Sequence, residues 1–313
     1  MSAMPALSAL LVTDSFDTVR ETVDHLRGQT IADRIEVLLA TGSPRTLALD
    51  AAACEGLQAA RVVDVGQVHP LYRARARALR EARAPIILFA ESHSFPAPDS
   101  LAALVERHAE PWAGVGQVIV NGNPGTSVSW ANLLMDYGAW VDGRGGPVAR
   151  LPTHNSSFKR DVLLGFGDDL ESLLEGGDLL IGAITDRGHR LYLEERARTY
   201  HLNVDRPGPW LLERFLAGRA YAASRARRWG SARRLAYIAG APLIPLVRLR
   251  RIRRQMRDLE GRPARSRLYG ALAVALSLSA FGELVGYAFG PGGAVEGMSR
   301  MELDRRDAVR PDD

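Results

Sequence analysis

Short apolar runs alternate with helical patterns along the first 120 residues, and this alternation constrains the fold more than any other feature. Strand-like runs occupy residues 6–13, 35–40, 61–65, 85–90 and 114–120. Helical spacing of apolar residues fills intervals between them, over residues 16–27, 70–83 and 100–108. Strands that alternate with helices predict βαβ units and a mainly parallel sheet, so this part of the chain falls in the α/β class.

The fourth apolar run ends in a carboxylate and an imidazole, Glu91 and His93. Residues two apart in an extended chain point to the same side, so these two side chains can converge on one point. Ligands of open α/β sheets bind beyond the carboxyl ends of the strands. The sequence therefore predicts a ligand site at this pair, and a solvated, helix-capping loop before Pro96 is the alternative.

Composition narrows the class of protein. The chain has 313 residues, is 46% hydrophobic and carries a formal net charge of +4. Its arginines cluster between residues 214 and 267, but arginine usage by itself does not indicate nucleic-acid binding, so we expect no nucleic-acid partner. Cys54 is the single cysteine, which excludes a disulfide framework and a cysteine zinc site.

After residue 121 the alternation loosens. The spacing predicts helices over residues 129–141 and 170–185, and a short strand over 153–158 that leads into a helix near Arg160. Two further extended segments are predicted, over residues 190–193 and 197–202. His25, His69, His108 and His189 are predicted to lie on the surface.

The last hundred residues have a different character. Residues 211–228 form a basic helical pattern, and residues 235–247 are apolar but too short to cross a bilayer, which suits an interfacial or re-entrant position. Residues 268–289 are apolar apart from Glu283 and long enough to span. Because dense arginine flanks these segments, we predict membrane association, with a buried pair of core helices as the alternative.

Five motifs, taken in order, resemble the family 2 glycosyltransferases, which have the GT-A fold. They are Glu91-Ser92-His93, Asn155-Ser156-Ser157-Phe158-Lys159-Arg160, Glu175-Gly176-Gly177-Asp178-Leu179, Gly188-His189-Arg190 and His201. The resemblance covers residues 6–201. It implies a Rossmann-like mixed sheet in a glycosyltransferase domain over residues 1–208. Residues 209–313 would form a C-terminal helical region, similar to that of a membrane-attached bacterial subgroup.

The resemblance also implies roles for particular residues. Contacts to the donor nucleotide and its diphosphate fall on Thr13, Asp14, Arg75, Arg77, Glu91 and His93. For Arg75 and Arg77, exposed arginines on a solvated helix face are the alternative. Glu91 and His93 replace the two Asp usual in the family, and with His201 they would hold a divalent metal, Mn²⁺ or Mg²⁺.

On the acceptor side the resemblance points to His154 and Asn155. The base that takes the acceptor proton would be Glu175 first and Asp178 second, because the family's usual Asp falls nearest Gly176. Helix N-terminal carboxylates without a catalytic role are the alternative for these two residues.

The resemblance therefore implies an enzyme, a hexosyltransferase-like glycosyltransferase. We expect it to move a sugar from a nucleotide-sugar donor to an envelope glycan or lipid-linked acceptor. Residues 1–9 contain no signal-peptide pattern, so we expect the cytoplasmic face of the membrane, with membrane lipids as partners. A nucleotidyltransferase is disfavoured because residues 10–16 contain no glycine, and a catalytically degenerate membrane scaffold stays open.

Overall fold

The structure is a computed structural model that describes residues 3–141, 143–227, 229–256 and 264–309. The chain divides into two compact units. The first comprises Met1–Val120 with Asp142–His201, and the second comprises Asn121–Val141 with Leu202–Asp313. The chain enters the second unit for the last time after residue 201, and the second unit also includes residues 121–141. The domain boundary predicted at residues 208–209 stays a prediction.

The first unit is built on a mixed sheet. Its described strands are β1 (Leu7–Val12), β2 (Ile35–Thr41), β3 (Ala59–Asp64), β4 (Ile86–Phe89), β5 (Ser94–Pro96), β6 (Trp112–Asn121), β7 (Gly146–Val148), β8 (Ser156–Lys159) and β9 (Arg190–His201). They are ordered β3-β2-β1-β4-β8-β6-β9-β5, and β7 pairs with β9. The first four strands of this order are parallel, whereas β8 runs antiparallel to β4 and β6. The predicted mixed α/β sheet is therefore confirmed.

Helices cover the sheet of the first unit and build the second unit. The described α-helices are α1 (Phe16–Arg27), α2 (Leu71–Glu81), α3 (Ser100–Arg107), α4 (Ser127–Tyr137), α5 (Arg160–Leu164), α6 (Asp169–Leu174), α7 (Gly177–Asp186), α8 (Pro207–Ala226), α9 (Ser231–Gly240), α10 (Ile244–Gln255), α11 (Arg265–Phe289) and α12 (Ala294–Leu303). Strands β1 and β2 are buried at every position, as expected for parallel strands covered on both faces.

The second half of the sheet differs from the sequence-based expectation in three places, of which one is the unpredicted strand β7. The strand β5 lies where a loop was expected, and β9 is one strand rather than two extended segments. Charged residues interrupt the apolar pattern of β9, so the sequence does not predict it as one strand. Glu194 is nevertheless buried within it, because Arg107 and Arg196 both donate to its carboxylate at 2.8 and 2.9 Å.

The helix predicted over residues 170–185 is broken into α6 and α7. Gly176, between them, has an extended backbone with φ −135° and ψ 123°, so the helical hydrogen bonds stop there. The break gives α7 an amino terminus of its own, with Asp178 in its first turn.

In the second unit α8 and α11 pack backbone against backbone. A side chain at Gly218 would collide with the carbonyl of Ser279, and one at Gly282 with the carbonyl of Phe215. Gly286 faces the carbonyl of Arg219 in the same way. The small residues of both helices therefore permit an approach that any larger side chain would block.

Among the described helices, α11 is the one long and apolar enough to cross a membrane. Its most apolar 18-residue window has a mean hydropathy of 1.7, and 44% of that window is buried inside the protein. Length and composition of this kind are shared by transmembrane helices and by core helices of globular units. The predicted span over residues 268–289 stays a prediction.

Candidate active site

The site begins where β4 ends, at the carboxyl edge of the parallel part of the sheet. Leu10 of β1 pairs with Phe89 of β4, and the next amide, that of Ala90, donates to the carbonyl of Leu10 at 3.1 Å. The chain then turns inward, so the Glu91 side chain is only 3% exposed. Thr22 of α1 donates to the Glu91 carbonyl at 3.1 Å and fixes this turn.

Glu91 accepts hydrogen bonds from two neutral side chains. Asn155 Nδ2 donates to Glu91 Oε2 at 2.6 Å, and Ser94 Oγ donates to the same oxygen at 3.1 Å. Asn155 adopts a left-handed backbone with φ 58°. Its amide donates to the Phe89 carbonyl at 2.8 Å, and its carbonyl accepts from Gln117 Nε2 at 3.1 Å. Hydrogen bonds of the backbone N–H and of the backbone carbonyl of Asn155 thus hold this unusual conformation. They direct its side-chain amide toward Glu91.

Three imidazoles surround the same carboxylate. His154 Nδ1 lies 3.0 Å from Glu91 Oε1, while Nε2 of His93 and of His201 lie 3.8 and 3.7 Å from Glu91 Oε2. The pairing of Ser94 with His201 across β5 and β9 brings His201 to this point. The rings of His93 and His201 meet edge to face with centroids 4.8 Å apart.

The imidazoles set the protonation of Glu91. Burial alone would raise the pKa of this carboxyl group, but the charges of His154, His93 and His201 and the hydrogen bond from His154 hold its pKa well below the usual range. Glu91 is therefore an anion at neutral pH, in a place where its charge is shielded from water.

The residues present fit a divalent metal ion. Glu91, His93 and His201 are all buried, and one ligand atom from each lies within 4.8 Å of the others. Ligands about 2.1 Å from one ion lie at most about 4.2 Å apart. Glu91 Oε2 already lies within that distance of Nε2 of both His93 and His201. Imidazole with carboxylate suits Mn²⁺-like ions, whereas Mg²⁺ prefers oxygen ligands.

Comparison with known proteins identifies the domain that carries this site. Residues 11–165 match the sequence profile of glycosyl transferase family 2. The chain carries a family 2 glycosyltransferase domain. No curated protein sequence matches the chain.

The fold of this glycosyltransferase is also found in solved structures. The mannosyltransferase PcManGT from Pyrobaculum calidifontis, in complex with GDP-Man and Mn²⁺, aligns over 96% of this chain and 88% of its own with 17% identity and a TM-score of 0.54. The 1–349 fragment of S. aureus TarS aligns over 98% of this chain and 93% of its own with 15% identity and a TM-score of 0.46. Together with the family match, the first likeness confirms the predicted GT-A fold.

The structure places the predicted base candidates of the glycosyltransferase at the start of α7. Glu175 is half-buried at the end of α6, and the exposed Asp178 lies 3.6 Å from Arg150. A side chain at Gly177 would lie 3.0 Å from the hydroxyl of Thr153, which precedes His154. The amino end of α7 therefore lies beside the segment that contacts Glu91.

The predicted donor contacts lie on two elements. Thr13 and Asp14 follow β1, where the buried Thr13 hydroxyl donates to the Ser15 carbonyl at 2.6 Å and Asp14 is exposed. On α2, Arg77 donates to the Val65 carbonyl at 2.5 Å, and Arg75 is half-buried. The guanidinium of Arg77 therefore holds the turn after β3, and its role at the donor diphosphate stays a prediction.

Sequence reasoning missed two residues of the site and misjudged another histidine. Ser94 and Gln117 were not predicted, although a glutamine inside the apolar run 114–120 is a visible signal of a buried polar contact. His108 was expected on the surface, but it is buried with Nε2 2.9 Å from Ser157 Oγ. Burial lowers the pKa of His108 to about 4, so it is neutral at pH 7.

Proposed function

We propose that this glycosyltransferase moves a sugar from a nucleotide-sugar donor to an envelope glycan or a lipid-linked acceptor at the cytoplasmic face of a membrane. The observation that carries the proposal is the buried cluster of Glu91, His93 and His201 at the carboxyl edge of the family 2 sheet. A mannosyltransferase of the same fold, bound to GDP-Man and Mn²⁺, supports the donor class and the metal.

The leaving group of such a reaction is a nucleoside diphosphate. A divalent ion held by Glu91, His93 and His201 would supply positive charge to it as the sugar–phosphate bond breaks. Asn155 and Ser94 orient the Glu91 carboxylate through their hydrogen bonds, so the ligand set is built before any donor enters. Thr13, Asp14, Arg75 and Arg77 are proposed to bind the nucleotide and the diphosphate.

The acceptor hydroxyl must lose a proton as it attacks. We assign the role of the general base that takes this proton to Glu175, with Asp178 as the second candidate. Both residues flank the amino end of α7 beside Thr153. We assign to His154 the role of orienting the acceptor, because it is 35% exposed and in contact with Glu91.

The first test is transfer and donor hydrolysis with a panel of nucleotide sugars, in Mn²⁺ and in Mg²⁺. We expect activity with at least one donor and a preference for Mn²⁺, because two of the three ligands are imidazoles. Folded protein that binds no nucleotide sugar by calorimetry would contradict the proposal.

Two carboxamide variants assign the roles. Glu175→Gln should lower the turnover number by about 10²-fold or more while donor affinity stays unchanged, because general-base catalysis contributes in this range. Asp178→Asn, in the first turn of α7, is the matched comparison, and Glu55→Gln is the control at an exposed carboxylate. Donor binding without turnover in the native chain would favour the membrane scaffold instead.

A further inference from the structure

The second unit displays an apolar stripe that the glycosyltransferase site does not explain. Helical backbone runs from Ser231 to Gln255 through α9, a 3-10 turn at Ala241–Leu243 and α10. The stripe consists of residues exposed at spacings of three and four along this segment: Ala232, Leu235, Ala236, Ala239, Pro242, Leu243, Leu246 and Val247. The four largest are 60–66% exposed.

The opposite face of the segment is already packed. Tyr237 and Ile238 lie against a cluster formed by Ala222, Ala226 and Tyr287. On α10, Arg248 donates to Ser279 Oγ at 3.0 Å and lies 3.5 Å from Glu283 of α11. The segment is therefore anchored to the unit through one face, and the apolar stripe is its outer face. Helices of globular proteins usually present the reverse pattern.

Positive charge borders the stripe. Residues 231–256 contain seven arginines and no aspartate or glutamate. Arg250, Arg251 and Arg254 continue the stripe at the same helical spacing, and they are exposed. An apolar stripe that ends in arginines matches a bilayer whose surface is anionic, with apolar side chains among the acyl chains and guanidinium groups among the head groups.

We infer that the stripe of α9 and α10 is a docking surface for an anionic lipid bilayer, on which the segment lies in the plane of the interface. This deepens the membrane location in the proposed function, but it stands on the stripe alone and does not require transfer activity. A second copy of the chain fits the stripe less well, because it would bring two uniformly cationic segments together.

The α11 helix is a separate feature. Its carboxyl-terminal half is contacted by charged groups of the same unit, since Arg248 reaches Ser279 and Glu283, and Arg225 donates to Tyr287 Oη at 3.2 Å. Docking through the stripe keeps these charges out of the hydrocarbon. It also makes the attachment peripheral, so it differs in kind from a spanning helix.

The test is flotation of the full-length protein with two kinds of vesicle, phosphatidylcholine alone and phosphatidylcholine mixed with phosphatidylglycerol. We expect binding to the mixed vesicles only, and release by high salt, because arginine contributes through the surface potential. Equal binding to both kinds of vesicle would overturn the inference.

Two sets of variants locate the contact. Leu235→Ser with Leu243→Ser and Leu246→Ser should weaken binding by about tenfold or more, since buried apolar area sets interfacial affinity. Arg250→Gln with Arg251→Gln and Arg254→Gln should also remove the preference for anionic lipid. Both sets change exposed residues, so the melting temperature should stay within a few degrees of the parent value.

Controls match each change. Leu212→Ser removes an apolar residue that is 53% exposed on α8, outside the stripe. Arg80→Gln with Arg83→Gln and Arg198→Gln removes the same charge from exposed positions of the first unit.

Three further results would overturn the inference. One is equal weakening by the stripe variants and their controls. Another is a dimer in light scattering that the leucine variants dissociate. The third is attachment that yields only to detergent and is unchanged in both variant sets, which would assign the membrane contact to α11. Donor binding measured on the same samples separates failure of docking from failure of the proposed function.

Discussion

Glu91 in the first unit and Glu213 in the second are both buried carboxylates held as anions, yet their partners differ. Glu91 is surrounded by imidazoles, of which His93 and His201 are buried with it. Glu213 is held by guanidinium groups, with Arg305 at 2.5 Å and Arg214 at 3.1 Å.

The difference separates a reactive site from a structural one. Arginine stays charged at every accessible pH and offers no lone pair to a metal, so the Glu213 cluster can only hold the helices of its unit together. An imidazole can give up its proton and bind a metal or a phosphate. Burial of a carboxylate therefore does not itself mark a site, and the chemistry of its partners does.

The largest effect should follow from Glu91→Gln. The variant removes the anion and places an amide against the Asn155 donor, so we expect the turnover number to fall by about 10²–10³-fold. Thermal melting should change far less than the activity. The matched variant Glu213→Gln should leave donor affinity, measured by calorimetry, unchanged under conditions where it is folded.

Glu213→Gln should be the more costly change for folding. The variant leaves the buried guanidinium groups of Arg214 and Arg305 without their shared anion. We expect this to lower the free energy of unfolding by about 3–5 kcal/mol. The measurement is urea unfolding, and Glu302→Gln is the control, because Glu302 pairs with the same Arg305 at 3.0 Å but is partly exposed. An equal loss of the free energy of unfolding in the two variants would mean that the burial of Glu213 adds nothing to the stabilisation by its ion pairs.

The same cluster predicts an acid-sensitive second unit. Burial would raise the pKa of Glu213, but Arg305 and Arg214 lower its pKa to about 2, below the value of about 4.3 in the unfolded chain. Its stabilisation is therefore complete above pH ~4.5 and is lost as the pH falls toward 2. Unfolding curves of the parent should show this loss, and those of Glu213→Gln should lack it.

His108 adds a buried imidazole of a different kind, because no carboxylate faces it among its described hydrogen-bond partners. Its pKa of about 4 lies below the unfolded value of about 6.5, so the unfolded chain binds the proton first. The first unit should lose up to about 3 kcal/mol as the pH falls from 6.5 to 4. His108→Gln should flatten this dependence, whereas His189→Gln, at an exposed position, should not.

The smallest effect should come from Ser94→Ala, which removes one hydrogen bond to Glu91 and the one that Asn155 Nδ2 donates to Ser94 Oγ at 3.0 Å, while Asn155 keeps its own bond to Glu91. Loss of a single bond to a charged group costs about 1.5–3 kcal/mol. The lower end of this range is about tenfold, so we expect the turnover number to fall by about tenfold, with the metal affinity reduced in parallel. A reduction as large as that of Glu91→Gln would show that Ser94 has a more direct role.

The sequence predicts the parallel half of the sheet well, because each of those strands is a local apolar run. It also places Glu91 and His93, since the end of a buried strand is visible in the chain. Asn155 and His201 are predicted as site residues only because they belong to the ordered motifs of the family. Their contact with Glu91 depends on pairings between distant segments, such as Ser94 with His201.

The strand β9 and the burial of His108 could not be predicted from the sequence, for physical reasons. The strand β9 carries Glu194, whose burial is compensated by Arg107 from a helix far away in the chain. His108 looks like the polar end of a helix until its contact with Ser157 of β8 is formed. In each case a polar residue is buried because of a partner that no local pattern reveals.

The helix α4 belongs to a unit whose other helices are encoded much later in the chain. Asn132 donates to Glu213 of α8 at 3.0 Å, and α4 also packs against α11. A ribosome that adds about 5–20 residues per second needs roughly ten seconds to travel the intervening stretch to the end of α11. Until then α8 and α11 are not available to pack against the apolar residues of α4, among them Trp130 and Leu133. We therefore expect a nascent chain of this protein to expose apolar residues that chaperones bind, and a gene shortened after residue 208 would remove the α8 and α11 partners of that helix.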